Sequence, residues 1–264
     1  MTDAELLALY RHVTDGELLR LNGLFVAEGR AVVQRVFEDG RYRVHSLLVN
    51  EAARDSLAPW LDTVPTIVRD AGEFRDITGY NVHRGCLALV HRPATASIDD
   101  VIAHASPANP LIVLEAITNA DNVGGVFRNA SAFGAGGVIL SPTCCDPFYR
   151  KAVRTSMAAV LRVPFARAAD WPTAIADLRR EGFTVVALTP APPSEPLDAF
   201  AARAGDRRIA LLVGTEGAGL SPPAEAEADV RVTIPMRPGV DSLNLSVAAG
   251  IALYELRTRR TPSA

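Results

Sequence analysis

The sequence predicts an α/β protein of two parts, a small N-terminal α/β domain and a larger domain built on a parallel sheet with helices on both faces. Three observations carry this. Short, β-branched, apolar runs alternate with longer helix-like ones along the whole chain. The runs beyond residue 110 are apolar at consecutive positions, as strands covered on both faces must be. Between Arg92 and Pro110, the stretch RPATASIDDVIAHASPANP carries three prolines and several small polar residues, and it divides the alternation in two.

The first part, residues 1–92, reads in order as helix-like Ala31 to Phe37, strand-like Val44 to Val49, helix-like Ala52 to Leu61, strand-like Thr66 to Val68 and a strand-like run from Cys86 to Val90. Residues 93–109 read as a linker, with a short helical turn at Asp99 to His104. In the second part, residues 110–264, the strand-like segments are Leu111 to Leu114, Val138 to Leu140, Thr184 to Leu188, Ile209 to Val213 and Val230 to Ile234. Helix-like Val123 to Phe133, Tyr149 to Ala159, Thr173 to Arg180 and Ser246 to Arg257 fall between and after them. No internal repeat or low-complexity tract interrupts the pattern.

Composition narrows the function classes. With 264 residues, 48% hydrophobic and 22% charged, the chain can bury substantial cores. No apolar stretch approaches the ~20 residues of a bilayer-spanning helix, and Asp3 and Glu5 stand where a signal peptide carries cations. A soluble cytoplasmic protein without a membrane partner is expected. Cys86 and the neighbouring Cys144 and Cys145 have neither the number nor the spacing of a disulfide framework or zinc site, so no metal is expected. A net charge of −3 excludes a bulk cationic field for nucleic acid; any polyanion must be met locally. The histidines, His12, His45, His83, His91 and His104, all precede residue 105, which removes imidazole-based triads from the second part.

Ligands of open α/β sheets gather at the carboxyl ends of the strands, and three strand exits carry unusual residues. After Leu114 comes EAITNADNVGGVFRNASAFG, in which Asn122 and two glycines open a helix and Arg128 follows within two turns, placed to fork onto a phosphate. A capped helix with a surface arginine accounts for the same residues. After Val213 comes GTEGAGLSP, where Gly214, Thr215, Gly217 and Gly219 surround Glu216; this is neither a P-loop nor a dinucleotide fingerprint, and a plain glycine-rich turn reads equally well. After Ile234 comes PMRPGVDSLNLSVAAGIALYEL, with Met236, Asp241, Ser242, Leu243 and Asn244 ahead of an apolar helix; Ser242 or Asn244 as helix cap is the plainer account. A fourth segment, KAVRTSM at Lys151 to Met157, offers a basic helical turn.

In this order the three segments resemble the motifs of the SpoU (TrmH-type) family of the SPOUT superfamily, RNA ribose 2′-O-methyltransferases that use S-adenosyl-L-methionine. The resemblance runs from about Leu111 to Leu256 and includes RTSMAAVLRVPF at Arg154 to Phe165. The N-terminal GLFVAEGRAVV and RGCLALVHRP are similar to the ribosomal-protein-like RNA-binding domain that many members carry. What the resemblance implies is a SPOUT domain with a C-terminal trefoil knot, a homodimer whose site is completed across the interface, and S-adenosylmethionine in the knot loops. It places Asn122, Arg128, Glu216, Ser242 and Asn244 in the catalytic machinery. It places Gly214, Thr215, Gly217, Ile234, Met236, Ser242, Leu243 and Asn244 on the cofactor. Gly125 departs from the pattern, where a small residue such as alanine is expected.

Methyl transfer from a sulfonium to a ribose hydroxyl needs positioning more than polarisation. Family proposals give the arginine a base-like role, but a guanidinium with a pKa above ~12 is a poor base. Arg128 is therefore read as a clamp on phosphate and hydroxyl, Ser242 and Asn244 as orienting groups, and Glu216 as fixing its loop. Large folded rRNA is preferred as substrate over tRNA, because a separate RNA-binding domain is expected. A tRNA ribose methyltransferase, a base methyltransferase, a non-catalytic RNA-binding protein of the same fold and, against the missing dinucleotide fingerprint, an ordinary nucleotide-cofactor enzyme with an unknotted sheet are the alternatives.

Overall fold

A computed structural model describes residues 2–11, 15–80, 82, 85–240 and 242–258. In chain order the elements are α1 (Asp3–Ala8), α2 (Asp15–Glu17), β1 (Leu24–Glu28), α3 (Arg30–Asp39), β2 (Val44–Val49), α4 (Glu51–Leu57), β3 (Thr66–Val68), α5 (Glu73–Thr78) and β4 (Cys86–His91). They continue with α6 (Ile98–Ile102), β5 (Leu111–Leu114), α7 (Ala120–Phe133), β6 (Gly137–Leu140), α8 (Arg150–Thr155), β7 (Phe165–Arg167), α9 (Thr173–Arg180) and β8 (Phe183–Leu188). The last are β9 (Glu195–Pro196), α10 (Leu197–Arg203), β10 (Arg208–Val213), α11 (Pro222–Ala226), β11 (Val230–Thr233) and α12 (Leu245–Thr258). Strands β1, β7 and β9 are not among the runs that the sequence pattern marks. The last two are too short to show a period, and β1 is buried at every position, so it has no alternation to read.

The chain divides into two compact units. One comprises the residues up to Ala94 together with Asp146–Leu161, and the other comprises Thr95–Cys145 and everything from Arg162 onward. This differs from the expected division at two places.

The stretch read as a linker contributes α6, whose capping box joins Ser97 and Asp100. Val101 of this helix is fully buried in the second unit's core beside Leu111 and Ile139, so the segment's apolar positions belong there. The second difference is Asp146–Leu161, which groups with the first unit because its residues complete that unit's core and charge balance. Phe148 packs on Phe25 with ring centroids 4.8 Å apart, and Arg150 lies 3.7 Å over the Tyr80 ring. Tyr42 donates its hydroxyl to Leu161 O at 2.6 Å, and Arg92 pairs with Asp146 at 2.8 Å. Glu28, whose side chain is wholly buried, pairs with Arg150 and, at 3.4 Å, with Arg154.

The first unit is a four-stranded sheet in the order β1-β4-β2-β3, antiparallel except for the β2/β3 pair. The second is a seven-stranded sheet in the order β7-β6-β5-β10-β8-β11-β9, parallel throughout. Leu111 and Val113 of β5 face a core that they share with Val101, Ile175, Leu178 and Ala224 of α6, α9 and α11. Ile112 and Leu114 point to the opposite face and are just as buried, so the sheet is covered on both sides as its uniformly apolar strands require.

Helices α7 and α12 pack closely because two glycines allow it. A Cβ on Gly125 would stand 2.7 Å from Ser246 Cβ and Oγ, and one on Gly250 would stand 2.8 Å from Asn129 Nδ2. Asn129 then crosses the contact and donates to Ser246 O at 2.6 Å. The departure at Gly125 thus has a local cause, since even an alanine there would crowd Ser246.

Candidate active site

The carboxyl ends of β8, β10 and β11 open into a pocket of about 370 Å³ in the second unit. Its walls include Gly214, Thr215, Glu216, Gly217, Ile234, Met236, Ser242, Leu243 and Asn244, so all the residues expected to hold a cofactor meet at one cavity. The loop after β10 curls back on itself. Thr215 and Gly219 exchange backbone hydrogen bonds at 3.1 and 3.0 Å, with Gly217 and Gly219 at φ of +82° and +71°. Gly214 admits no side chain, because a Cβ would sit 2.3 Å from the Gly219 carbonyl carbon. That absence of a side chain is what lets the loop fold back against its own backbone.

Asn244 does two jobs. Its Oδ1 accepts from Ser246 N and Val247 N at 3.0 and 3.2 Å and from Ser246 Oγ at 2.7 Å, which caps α12. With Oδ1 so engaged, Nδ2 is aimed at the other two motifs, donating to Asn122 Oδ1 at 2.9 Å and to Glu216 Oε1 at 3.2 Å. The reading of Asn244 as a cap therefore holds, and the cap aims the amide at Asn122 and Glu216. Asn122 is buried in the first turn of α7, while Glu216 is exposed at the pocket.

The other expected residues stand further off. Ser242 lines the pocket but is exposed and makes none of these contacts. Arg128 projects from α7, exposed, with no ion pair among the described residues. Asp241 lies outside the described residues. The segment from Lys151 to Met157 belongs to the first unit, where Arg154 is occupied by Glu28.

Two sets of residues escaped the sequence pattern. Leu188, Thr189 and Pro190, at the exit of β8, also wall the pocket. They carry neither glycine nor a polar cap, and only their place after an apolar strand pointed to them. Glu115, one residue past β5, is 6% exposed and accepts from Trp171 Nε1 at 2.7 Å, Ser221 N at 2.8 Å and Ser221 Oγ at 2.6 Å. All three cysteines are free and buried. Cys144 Sγ donates to Leu114 O at 3.2 Å, and burial pushes the Cys86 thiol up to about 12.

A parallel sheet with a pocket at its carboxyl ends, floored by glycine-rich backbone and rimmed by amide and carboxylate groups, defines a protein that binds a nucleotide-like ligand. The comparisons with known proteins narrow this class. Residues 109–254 match the SpoU rRNA Methylase family, and the chain belongs to it.

An uncharacterized tRNA/rRNA methyltransferase of Mycobacterium tuberculosis is 40% identical over 238 residues, which cover 89% of this chain and 81% of that one. The crystal structure of an AdoMet-bound rRNA methyltransferase from Sinorhizobium meliloti superposes with a TM-score of 0.78 at 26% identity, covering 97% and 93% of the two chains. The SpoU methyltransferase AviRb from Streptomyces viridochromogenes, solved with AdoMet, shares the fold with a TM-score of 0.79 at 23% identity over 98% of each chain. No helix among the described residues is long and apolar enough to cross a membrane.

Proposed function

We propose that this SpoU-family protein transfers a methyl group from S-adenosyl-L-methionine to a ribose 2′-OH of RNA, with rRNA as the preferred substrate, in the cytoplasm. The observation that carries this reading is the hydrogen-bonded set Asn122, Asn244 and Glu216, in which the three motifs converge and of which Asn244 and Glu216 line the pocket.

The pocket fits the cofactor chemically. Leu188, Leu220, Ile234 and Leu243 offer apolar surface to a purine, the Gly214 to Gly219 backbone offers amide groups, and Thr215, Ser242 and Asn244 offer partners for hydroxyl and amino groups. When bound, S-adenosylmethionine supplies an electrophilic methyl on a sulfonium. The chain's own part is placement. Arg128 holds the substrate phosphate and hydroxyl as a two-pronged donor, Asn244 keeps Glu216 and Asn122 in register, and the proton of the hydroxyl leaves late, through water. Ser242 orients the methionine end.

Two structural expectations belong to the same reading. The chain beyond β11 threads the loop after β10 as a trefoil knot; Ile234, Met236, Ser242, Leu243 and Asn244 line one pocket with that loop, which supports this. The protein is a homodimer whose partner completes the site; the exposed apolar stripe of Val247, Ile251 and Tyr254 along α12 supports this.

The test is incubation of the purified protein with methyl-labelled S-adenosylmethionine and separate pools of unmodified rRNA and tRNA, followed by digestion to nucleosides. A labelled 2′-O-methylnucleoside from rRNA is expected. The same product from tRNA would correct the substrate, a labelled base would overturn ribose specificity, and cofactor binding without label on any RNA would overturn the enzymatic reading.

A further inference from the structure

We infer that Glu115 is a positioning residue for cofactor binding, a buried clamp that holds both ends of the loop flooring the pocket. The inference rests on the function proposed above. The loop leaves β10 after Val213 and ends at Ser221, the N-cap of α11. At its near end, the Glu115 N–H donates to Val213 O at 2.9 Å. At its far end, the Glu115 carboxylate takes Ser221 N on Oε2 and Ser221 Oγ on Oε1, at 2.8 and 2.6 Å. One residue thus fixes where the loop begins and where it stops, and Gly214 to Leu220 between them shape the pocket.

The chemistry of the clamp is selective. All three groups that reach the carboxylate, Ser221 N, Ser221 Oγ and Trp171 Nε1, are donors, and none is a cation. A carboxylate accepts from all three and offers no hydrogen of its own; a glutamine would turn an N–H toward a donor. A buried carboxylate without a counter-ion is costly unless fixed dipoles replace its water, as these do. The direction of Glu115 is fixed in turn by its neighbour. Ala116 has φ of +57°, in the left-handed region that non-glycine residues avoid, and its N–H donates to Ser141 Oγ at 2.9 Å. Strain of this kind concentrates where the surroundings impose a geometry. The same bend starts the chain toward α7, which carries Asn122.

Release of the clamp would loosen the loop backbone that floors the pocket, a cost to cofactor binding that saturating cofactor offsets. The experiment compares wild type with Glu115→Gln and Ser221→Ala. It measures the Kd for S-adenosylhomocysteine by calorimetry, the KM for S-adenosylmethionine against kcat on RNA, and the unfolding midpoint. Glu115→Gln is expected to raise the Kd and the KM by about 10- to 100-fold, the range set by loss of hydrogen bonds to a charged group, with kcat at saturation little changed. Ser221→Ala keeps the carboxylate and one loop bond, and it is expected to raise the Kd by about 3- to 10-fold. This second variant decides the matter if Glu115→Gln does not fold. Lower stability with an unchanged Kd in the folded variants would make Glu115 a structural residue and overturn the inference. Wild type that binds neither compound would overturn the proposed function itself, and the clamp with it.

Discussion

Glu28 ends β1 in the first unit and Glu115 follows β5 in the second, and both carboxylates are almost fully buried, yet they are stabilised by different means. Glu28 meets two guanidinium groups, those of Arg150 and Arg154, from a segment more than a hundred residues away. Glu115 meets neutral donors, an indole and a serine. The contrast extends to the surroundings. The first unit adds Arg92 with Asp146 and Arg41 with Asp39. Around the pocket of the second unit, amide side chains and glycines in close backbone contact take that role, and ion pairs such as Arg179 with Asp229 lie toward the surface. A charge-held unit fails when a counter-ion is removed, whereas a unit held by neutral contacts fails when shape or donor pattern changes.

The largest expected effect tests the charged side. Arg150→Ala removes the shorter of the two arginine contacts of the buried Glu28 and leaves the longer one to Arg154, and loss of one partner of a buried pair costs about 3–5 kcal/mol. Denaturant unfolding, followed by the fluorescence of Trp60 in the first unit, checks it. Glu28→Gln together with Arg150→Met should recover most of the loss, because the penalty lies in the stranded charge. If Arg150→Ala unfolds like wild type, the pair is ornamental and the comparison breaks.

Shape comes next. Gly125→Ala puts a methyl where Ser246 Cβ and Oγ already stand at 2.7 Å, and overpacking of this kind costs about 1–3 kcal/mol. Ser246→Gly in the same chain should relieve it, measured by thermal unfolding of the double variant against each single one. A donor-pattern test separates the two jobs of Asn244. Asn244→Asp keeps an acceptor for the cap of α12 but replaces the donor to Asn122 and Glu216 with a negative oxygen. Asn244→Ala loses cap and donor alike and should cost about 1 kcal/mol of stability. Both variants are expected to lose methyl transfer by about tenfold or more, the loss of one net hydrogen bond in a preorganised site. Asn244→Asp with normal activity would show that the cap is all that matters.

Much of this architecture was legible in the amino-acid sequence. The uniformly apolar Leu111 to Leu114 and Ile209 to Val213 gave away a sheet covered on both sides; the exits of β10 and β11 carried residues that line the pocket, and the exit of β5 carried Asn122, which Asn244 reaches. What stayed hidden depends on partners distant in sequence. Glu115 reads as one acid among many until Trp171 and Ser221 are brought to it, and Arg150 reads as a solvated charge until Glu28 is. Residues 93–109 looked like a linker because prolines and small polar residues dominate them. Only the burial of Val101 shows that the stretch is part of a core. Periodicity reports which face of an element is apolar; it does not report which strand exit a lone polar side chain will reach.

The smallest predicted effect concerns protons and sharpens the contrast from the charged side. His45 and His91 lie in the first unit with ring centroids 5.6 Å apart, and Arg43 donates toward His91 Nδ1 at 3.1 Å. Partial burial, reinforced by the Arg43 charge, holds both imidazoles below the usual histidine range. The unfolded chain therefore binds protons at a higher pH than the folded one does, and stability rises with pH through the window just below about 6.5. Acidification through that window should lower the unfolding midpoint of the first unit, and His45→Asn with His91→Asn should flatten the slope. Arg43→Gln removes the second cause and should flatten it in part, as should added salt, because both rings are partly in water. A slope that survives the double histidine variant would have to come from other groups. Burial raises the Asp15 carboxyl, which acts in the opposite sense: its protonated form suits the fold, so its contribution is present in acid and fades as pH rises. Asp15→Asn removes that contribution and leaves the imidazole slope to be read alone.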